Sequence, residues 1–277
     1  MSYKTILVCL NEIARLPQLI SVARDLGVTF NAHVSGLYVI PAIQVYPSDG
    51  YTSGANVFFD GTRVFFQNQL PKVREAFESA MQMDKLSFEI HVVDSALPNI
   101  SSEMIDNCRN VDLVVISNTD RDQTGEVESD FVETFVLAAG RPVLVLPYKG
   151  EIKLNTDQIM VGWNDSRESS RAVFDALPFL QRTVLTRLVT VDVPAGGRLP
   201  AAGIAEALDR HGVKTEITDV VSDGASVGET LLRAANDYGA DIIVLGAYGH
   251  SRFTELVFGG ATRYVLRNLD RPVFMSH

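Results

Sequence analysis

Four glycines bracket one turn in GAYGHSRFTELVFGGAT, which runs from Gly246 to Thr262 and follows the apolar run ADIIVLG. Glycine lets the backbone approach a bulky anion closely or take up positive φ. Gly259 and Gly260 come where a new helix begins, and a helix start presents N–H groups with no partner inside the helix and a partial positive end. Thr262 adds a hydroxyl one turn in, and Arg252 adds a cation in the intervening loop. Together these groups could wrap a triphosphate using main-chain N–H groups rather than many lysines. His250 has no nucleophile nearby in sequence and is given no catalytic part. Glycines at a strand end and a helix start also serve as plain turn residues, and spacing alone does not separate the two uses. Neither GxxxxGK[ST] nor GxGxxG occurs, so the chain is by motif neither a P-loop ATPase nor an ordinary dinucleotide fold.

The elements that must hold this turn are written twice. TILVCLNEIARL from Thr5 matches QIMVGWNDSRES from Gln158, VDLVVIS from Val111 matches ADIIVLG from Ala240, and GRPVLVLP from Gly140 matches DRPVFMSH from Asp270. The offsets are 153, 129 and 130 residues, so the first half carries 24 more residues (153 − 129) between its first and fourth strands. Two copies of one unit are the architectural signal. The boundary falls in PYKGEIKLNTD, a polar stretch with Pro and Gly, giving domains 1–149 and 156–277. In the second half, strands are expected at Gln158–Trp163, Leu188–Val193, Val213–Val221, Asp241–Leu245 and Pro272–Met275. Helices are expected from Ser166 to Leu180, from Leu199 to His211, from Ala225 to Tyr238 and from Leu256 to Leu269, with Ser166 placed to cap the first. Strands apolar on both faces that alternate with such helices form a parallel sheet covered on both sides. The extra segment Tyr46 to Pro71 carries Phe58, Phe59, Phe65 and Phe66. It reads either as a lid or partner surface, or as a loop entering a helix that packs its aromatics on the body.

Composition narrows the class of function. With 46% hydrophobic and 21% charged residues a packed core is expected, and 277 residues suit two domains. A formal charge of −10 argues against nucleic acid as a partner but not against a small nucleotide held by backbone N–H groups. Cys9 and Cys108 read as buried small hydrophobes. No apolar run reaches membrane-spanning length, and MSYKTILVCLNEIARL lacks a leader-cleavage pattern, so a cytoplasmic protein with no membrane partner is expected.

The whole chain resembles a tandem universal stress protein, each half resembling one domain of that family. The nucleotide-binding branch carries G-x2-G-x9-G-[ST] after its fourth strand, and here Gly246, Gly249 and Gly259 fall at those spacings. Gly260 replaces the final Ser or Thr, and Ala261 and Thr262 match the next two phosphate-loop positions. The resemblance implies an α/β fold of two repeated open five-stranded parallel-sheet domains, each an adenine-nucleotide-hydrolase-like α/β sandwich, paired about a pseudo-twofold. It implies pairing through RPVLVLP and RPVFMSH inside one chain, and leaves a further homodimer open. It places an acidic residue after the first strand, near the adenosine. In VGWNDS that position is Asn164, with Gly162 two before it, and the charge is lost. It points to main chain at Val191 or its neighbour for adenine, with Leu245 near the same pocket.

In the first half, VVISNTDRDQTGEVESDFVETFVLAAGRPV puts Ser117 where Gly246 is found, and Asp120, Asp122, Glu126, Glu128 and Asp130 would repel phosphates. One nucleotide site per chain, in the second half, is therefore expected, with ATP, and Mg2+ alongside it, as the ligand. No catalytic set is assembled: Asp157, Asp165 and Asp192 lack diagnostic spacing, the five histidines are scattered, and no metal ligands are assigned. The resemblance leaves slow hydrolysis open. The reading is an ATP-binding stress-response regulator with unidentified protein partners. The alternative is a nucleotide-free scaffold acting through protein contacts or a small apolar ligand.

Overall fold

The structure, a computed structural model, describes residues 2–43, 45–46, 58–59, 61–119, 127–128, 130–193, 201–247 and 260–277. The first half runs β1 (Thr5–Cys9), α1 (Leu16–Phe30), β2 (His33–Ile40), two short strands β3 (Val45–Tyr46) and β4 (Phe58–Phe59), α2 (Thr62–Met83), β5 (Phe88–Asp94), α3 (Ile100–Asn107), β6 (Leu113–Ser117), α4 (Phe131–Ala138) and β7 (Val143–Leu146). The second runs β8 (Gln158–Gly162), α5 (Arg167–Asp175), α6 (Leu177–Leu180), β9 (Leu185–Val191), α7 (Ala202–Arg210), β10 (Thr215–Val220), α8 (Val227–Asp237), β11 (Ile242–Gly246), α9 (Ala261–Arg267) and β12 (Val273–Ser276).

Ten of these strands form one mixed sheet in the order β10-β9-β8-β11-β12-β7-β6-β1-β2-β5. Within each set of five the pairs are parallel; the two sets meet where β12 pairs antiparallel with β7. At that seam Phe274 faces Leu144, Val273 faces Val145 and Met275 faces Val143. Each residue of β7 lies 130 positions before its counterpart in β12 (274 − 144), so this register maps onto itself when the halves are exchanged. The central strands β6, β7 and β12 are buried along their whole length, as expected of strands covered on both faces. The outer strands β5 and β10 alternate instead, and exposed Glu89, His91 and Glu216 blunt the two open edges.

Aromatic packing ties the halves together near the seam. Tyr3, Phe30, Phe179 and Phe274 form a chain of ring contacts at 5.0 to 6.0 Å, and Tyr3 Oη donates to the Asp175 carbonyl at 2.7 Å. Arg182 donates to the Thr29 carbonyl and lies over the Phe30 ring. Burial raises the Tyr3 hydroxyl well above its ordinary value, and Asp175 and Asp112 add to it. Both cysteines are buried, and burial pushes the Cys9 thiol up to about 12, which leaves it an inert core atom. No described helix is long and apolar enough to cross a membrane.

Several elements differ from expectation for local reasons. The helix expected over Ser166–Leu180 is two helices, because Pro178 has no N–H with which to continue the first; α6 restarts with that proline in its first turn. β9 begins at Leu185, three residues early, where Val184 and Leu185 both donate to the Asp157 carbonyl. Helix α8 starts at Val227 because Ser226 caps it, accepting from the Glu229 N–H. Helices α7 and α9 are described from Ala202 and Ala261, and the expected starts at Leu199 and Leu256 lie outside the described residues. In the extra segment, Phe65 and Phe66 belong to α2, and Phe66 is fully buried against Tyr38, whose hydroxyl donates to the Phe66 carbonyl. These two aromatics therefore pack on the body rather than forming an exposed surface.

Candidate functional site

In a parallel α/β sheet the strand ends and the helix starts that follow them share one rim, where ligands collect. On the second-half rim, Gly162 of β8 stands beside Leu245 of β11 on one side and Val189 of β9 on the other. A methyl group on Gly162 would lie 2.5 Å from Leu245 Cδ2, so that glycine leaves room for the leucine. Gly246 follows, and a methyl group there would lie 2.3 Å from Ser169 N and 2.4 Å from the Glu168 carbonyl carbon. The first turn of α5 thus packs its backbone directly against the end of β11, which gives Gly246 a packing reason independent of any ligand. A third close approach is at Gly228 of α8, where an added methyl group would lie 2.7 Å from the Ala261 carbonyl oxygen, so α8 packs directly against the start of α9.

The side chains after β8 are tied into the start of α5. Asn164 is exposed, and its Oδ1 accepts from the Ser166 hydroxyl at 2.7 Å and from the Ser166 N–H. Ser166 in turn caps α5 by accepting from the Ser169 N–H, and the Ser169 hydroxyl bonds back to the Ser166 main chain. Asp165 is exposed at φ 57°. Glu168 is buried beside Arg167, whose Nε donates to it at 2.9 Å. Burial alone would raise this carboxyl. Its own main-chain N–H, the Arg167 hydrogen bond and charge, and the charge of His277 outweigh that and hold it below its ordinary range. At the end of β9, Asp192 accepts from the Ser222 N–H at 2.9 Å, and hydrogen bonds from Ser222 hold its carboxyl low.

Main-chain direction alternates along β9. Trp163 N–H donates to the Val189 carbonyl on the β8 side, and Asp192 N–H donates to the Val220 carbonyl on the β10 side. The N–H and C=O of Val191 therefore face the β8 side, one step beyond that ladder bond. Among the described residues no side chain takes them. Gly162, Asn164, Val191, Leu245 and Gly246 thus share one rim. Gly260 begins α9, with Ala261 half-buried and Thr262 buried behind it. Gly249, Arg252 and Gly259, with His250, lie outside the described residues.

The equivalent first-half rim is furnished differently. By register Cys9 faces Leu37 as Gly162 faces Val189, and Leu10 N–H donates to the Leu37 carbonyl as Trp163 N–H does to that of Val189. Val39 is thus the counterpart of Val191. Asn11, at the same offset as Asn164, is wholly buried, and its carboxamide takes both groups: Nδ2 donates to the Val39 carbonyl at 2.7 Å and Oδ1 accepts from the Val39 N–H at 2.9 Å. Sequence reasoning gave Asn11 no weight. The available signal is two residues on, where Ile13 offers no hydroxyl in the place of Ser166. Ser117, the counterpart of Gly246, is buried, with its hydroxyl donating to the Asn118 carbonyl. Of the five acids expected to line this rim, Asp120, Asp122 and Glu126 lie outside the described residues. Glu128 accepts from the Ile100 N–H at the start of α3.

Comparison with known proteins places this rim in a family. Residues 155–277, just under half of the chain, match the model of the universal stress protein family. Universal stress protein Slr1230 of Synechocystis is 38% identical over 72 residues, covering 26% of this chain and 24% of that protein. Universal stress protein MJ0577 of Methanocaldococcus jannaschii is 33% identical over 69 residues, covering 23% of this chain and 43% of that protein. The chain therefore aligns with less than half the length of either. The crystal structure of a universal stress protein from Archaeoglobus fulgidus shares the fold along the whole chain, covering 100% of this chain and 96% of that one with a TM-score of 0.68 at 16% identity. The second half of this doubled α/β chain, with its glycine-bordered rim, is a universal stress protein family domain of the UspA-like kind.

Proposed function

We propose that the chain is an ATP-binding regulator in a stress response, with one nucleotide site on the second-half rim. In this reading the chain comprises two domains, 1–149 and 156–277, that pair with each other through β7 and β12 and work in the cytoplasm with protein partners. The observation that carries the reading is the main-chain pair of Val191, which no side chain among the described residues takes, on a rim shared with Gly162, Leu245 and Gly246. One donor beside one acceptor is what the N6 and N7 edge of adenine requires, so the groups present fit the base. Gly162 and Leu245 would flank it, and Asn164 Nδ2, on the side of the amide away from Ser166, would meet a ribose hydroxyl. The main chain from Gly260 to Thr262, together with Gly249, Arg252 and Gly259 of the glycine motif, would hold phosphate, with Mg2+ neutralising its charge when bound. A bound nucleotide would then shift the population of a surface that partners read. No turnover step is assigned.

The test is Mg-ATP binding to the whole chain by calorimetry, with nucleotide released from the purified protein identified by mass. One ATP per chain is expected, lost when Gly249 and Gly259 are both replaced by valine in a protein that keeps its helical circular dichroism. Unchanged affinity in that variant, or no saturable binding by the natural sequence, overturns the proposal.

A further inference from the structure

We infer that the first half keeps its rim shut with its own Asn11, whose carboxamide stands where the edge of a base would lie, and that Ser166 keeps the equivalent Asn164 from doing the same in the second half. The inference rests on the adenine reading above. Two asparagines at one offset have opposite fates. Asn11 turns inward and supplies one donor and one acceptor to Val39, the pairing that an adenine edge would supply to Val191. Asn164 turns outward because Ser166, already engaged as the cap of α5, holds its Oδ1. Ile13 cannot hold Asn11 that way, and the segment that follows is a 3-10 turn with no side-chain cap.

A second, independent contact closes the same rim. Ser95 N–H bonds the Ile40 carbonyl, which brings the approach to α3 alongside the end of β2. There the N–H of Ile100 is met by the Glu128 carboxylate at 2.5 Å, while Glu128 Oε2 is buried with no hydrogen-bond partner among the described residues. The chain thus places its own carboxylate at this helix start, close to where Asn11 meets β2. Burial raises the Glu128 carboxyl, against the hydrogen bonds from its own N–H and those of Ile100 and Ser101.

Free adenine reports on this without involving ribose or phosphate. In isotope-labelled whole chain, adenine is expected to move the amide resonance of Val191 and leave that of Val39 still. In Asn11→Ala the Val39 amide is expected to lose its protection from hydrogen exchange and to respond to adenine as Val191 does. In Ser166→Ala, Asn164 is free to take Val191, so adenine affinity at Val191 is expected to fall about tenfold, the equivalent of one hydrogen bond of about 1.4 kcal/mol. Adding Asn164→Ala to that variant should restore it, which loss of the helix cap alone would not allow.

A folded Asn11→Ala protein whose Val39 amide ignores adenine overturns the inference. So does a Ser166→Ala protein with undiminished affinity, or one that Asn164→Ala fails to rescue. The Ser166 arm leaves the first half intact and decides the matter if Asn11→Ala does not fold. If the Val191 amide of the natural sequence ignores adenine, the nucleotide reading itself fails. If Val191 responds while the variants behave otherwise than stated, only the role of the two asparagines fails.

Discussion

Replacing Gly246 by alanine separates a glycine kept for packing from one kept for a ligand. The added methyl would lie 2.3 Å from Ser169 N and 2.4 Å from the Glu168 carbonyl carbon, where about 3.5–4.0 Å is comfortable between carbon atoms. Both neighbours are main chain in the first turn of α5, so relief requires a shift of roughly 1 Å in the helix start. Such overpacking costs about 1–3 kcal/mol, and a shift of that size also loosens the Ser166 cap, worth about 1 kcal/mol. The expected loss is therefore about 3 kcal/mol. Gly162→Ala is the control. Its methyl would lie 2.5 Å from Leu245 Cδ2, the tip of a side chain that can turn, and about 1 kcal/mol is expected. Urea unfolding followed by circular dichroism, with the slope shared between variants, reads both values from the midpoints. A Gly246→Ala protein within 1 kcal/mol of the natural sequence, or no less stable than Gly162→Ala, refutes the packing argument. The glycine would then have to be explained by what binds there.

Three further outcomes follow from the same contacts. Phe179→Ala removes a buried ring that touches Tyr3, Phe30 and Phe274, and should cost about 3–5 kcal/mol in equilibrium unfolding. Tyr3→Phe keeps that packing and deletes only the bond to the Asp175 carbonyl, so about 1 kcal/mol is expected by the same measurement. Glu168 has a folded-state pKa below its ordinary 4.5, so its contribution is present above pH 4.5 and is lost as pH falls through the depressed value. Unfolding curves of Glu168→Gln and the natural sequence should therefore converge as pH drops below 4.5; a gap that widens there reverses the sign and rejects the account.

The fold was legible in the sequence to the extent that a pattern was local. Apolar runs such as VDLVVIS and ADIIVLG are strands because their residues are buried on both faces, and their repetition in order predicts two five-strand sets. The seam was legible too, since RPVLVLP and RPVFMSH are the two apolar segments that needed cover, and they cover each other. The break at Ala176 and the early start of β9 were missed, because one proline and one shared carbonyl decided them against a continuous apolar pattern. At the site, the partnership of Gly162 with Leu245 could be reached through the resemblance, whereas the contact of Gly246 with the backbone of Glu168 depends on how a helix leans on a sheet. The two asparagines are the clearest limit. They are the same residue at the same offset, and which way each amide points is set by a serine in one half and an isoleucine in the other.

The self-mapping register of β7 and β12 has a consequence for the parts of the molecule taken singly. Cut apart between the halves, each set of five strands would show an unpaired apolar border at its β7 or β12 strand, shaped to accept a strand running the opposite way. The second half alone could satisfy that border with a twin of itself, Phe274 opposite Phe274 where Leu144 now lies. The covalent link between the halves therefore does more than join two similar units. It supplies a non-identical mate at high effective concentration and so keeps a symmetric contact from being made with the wrong copy.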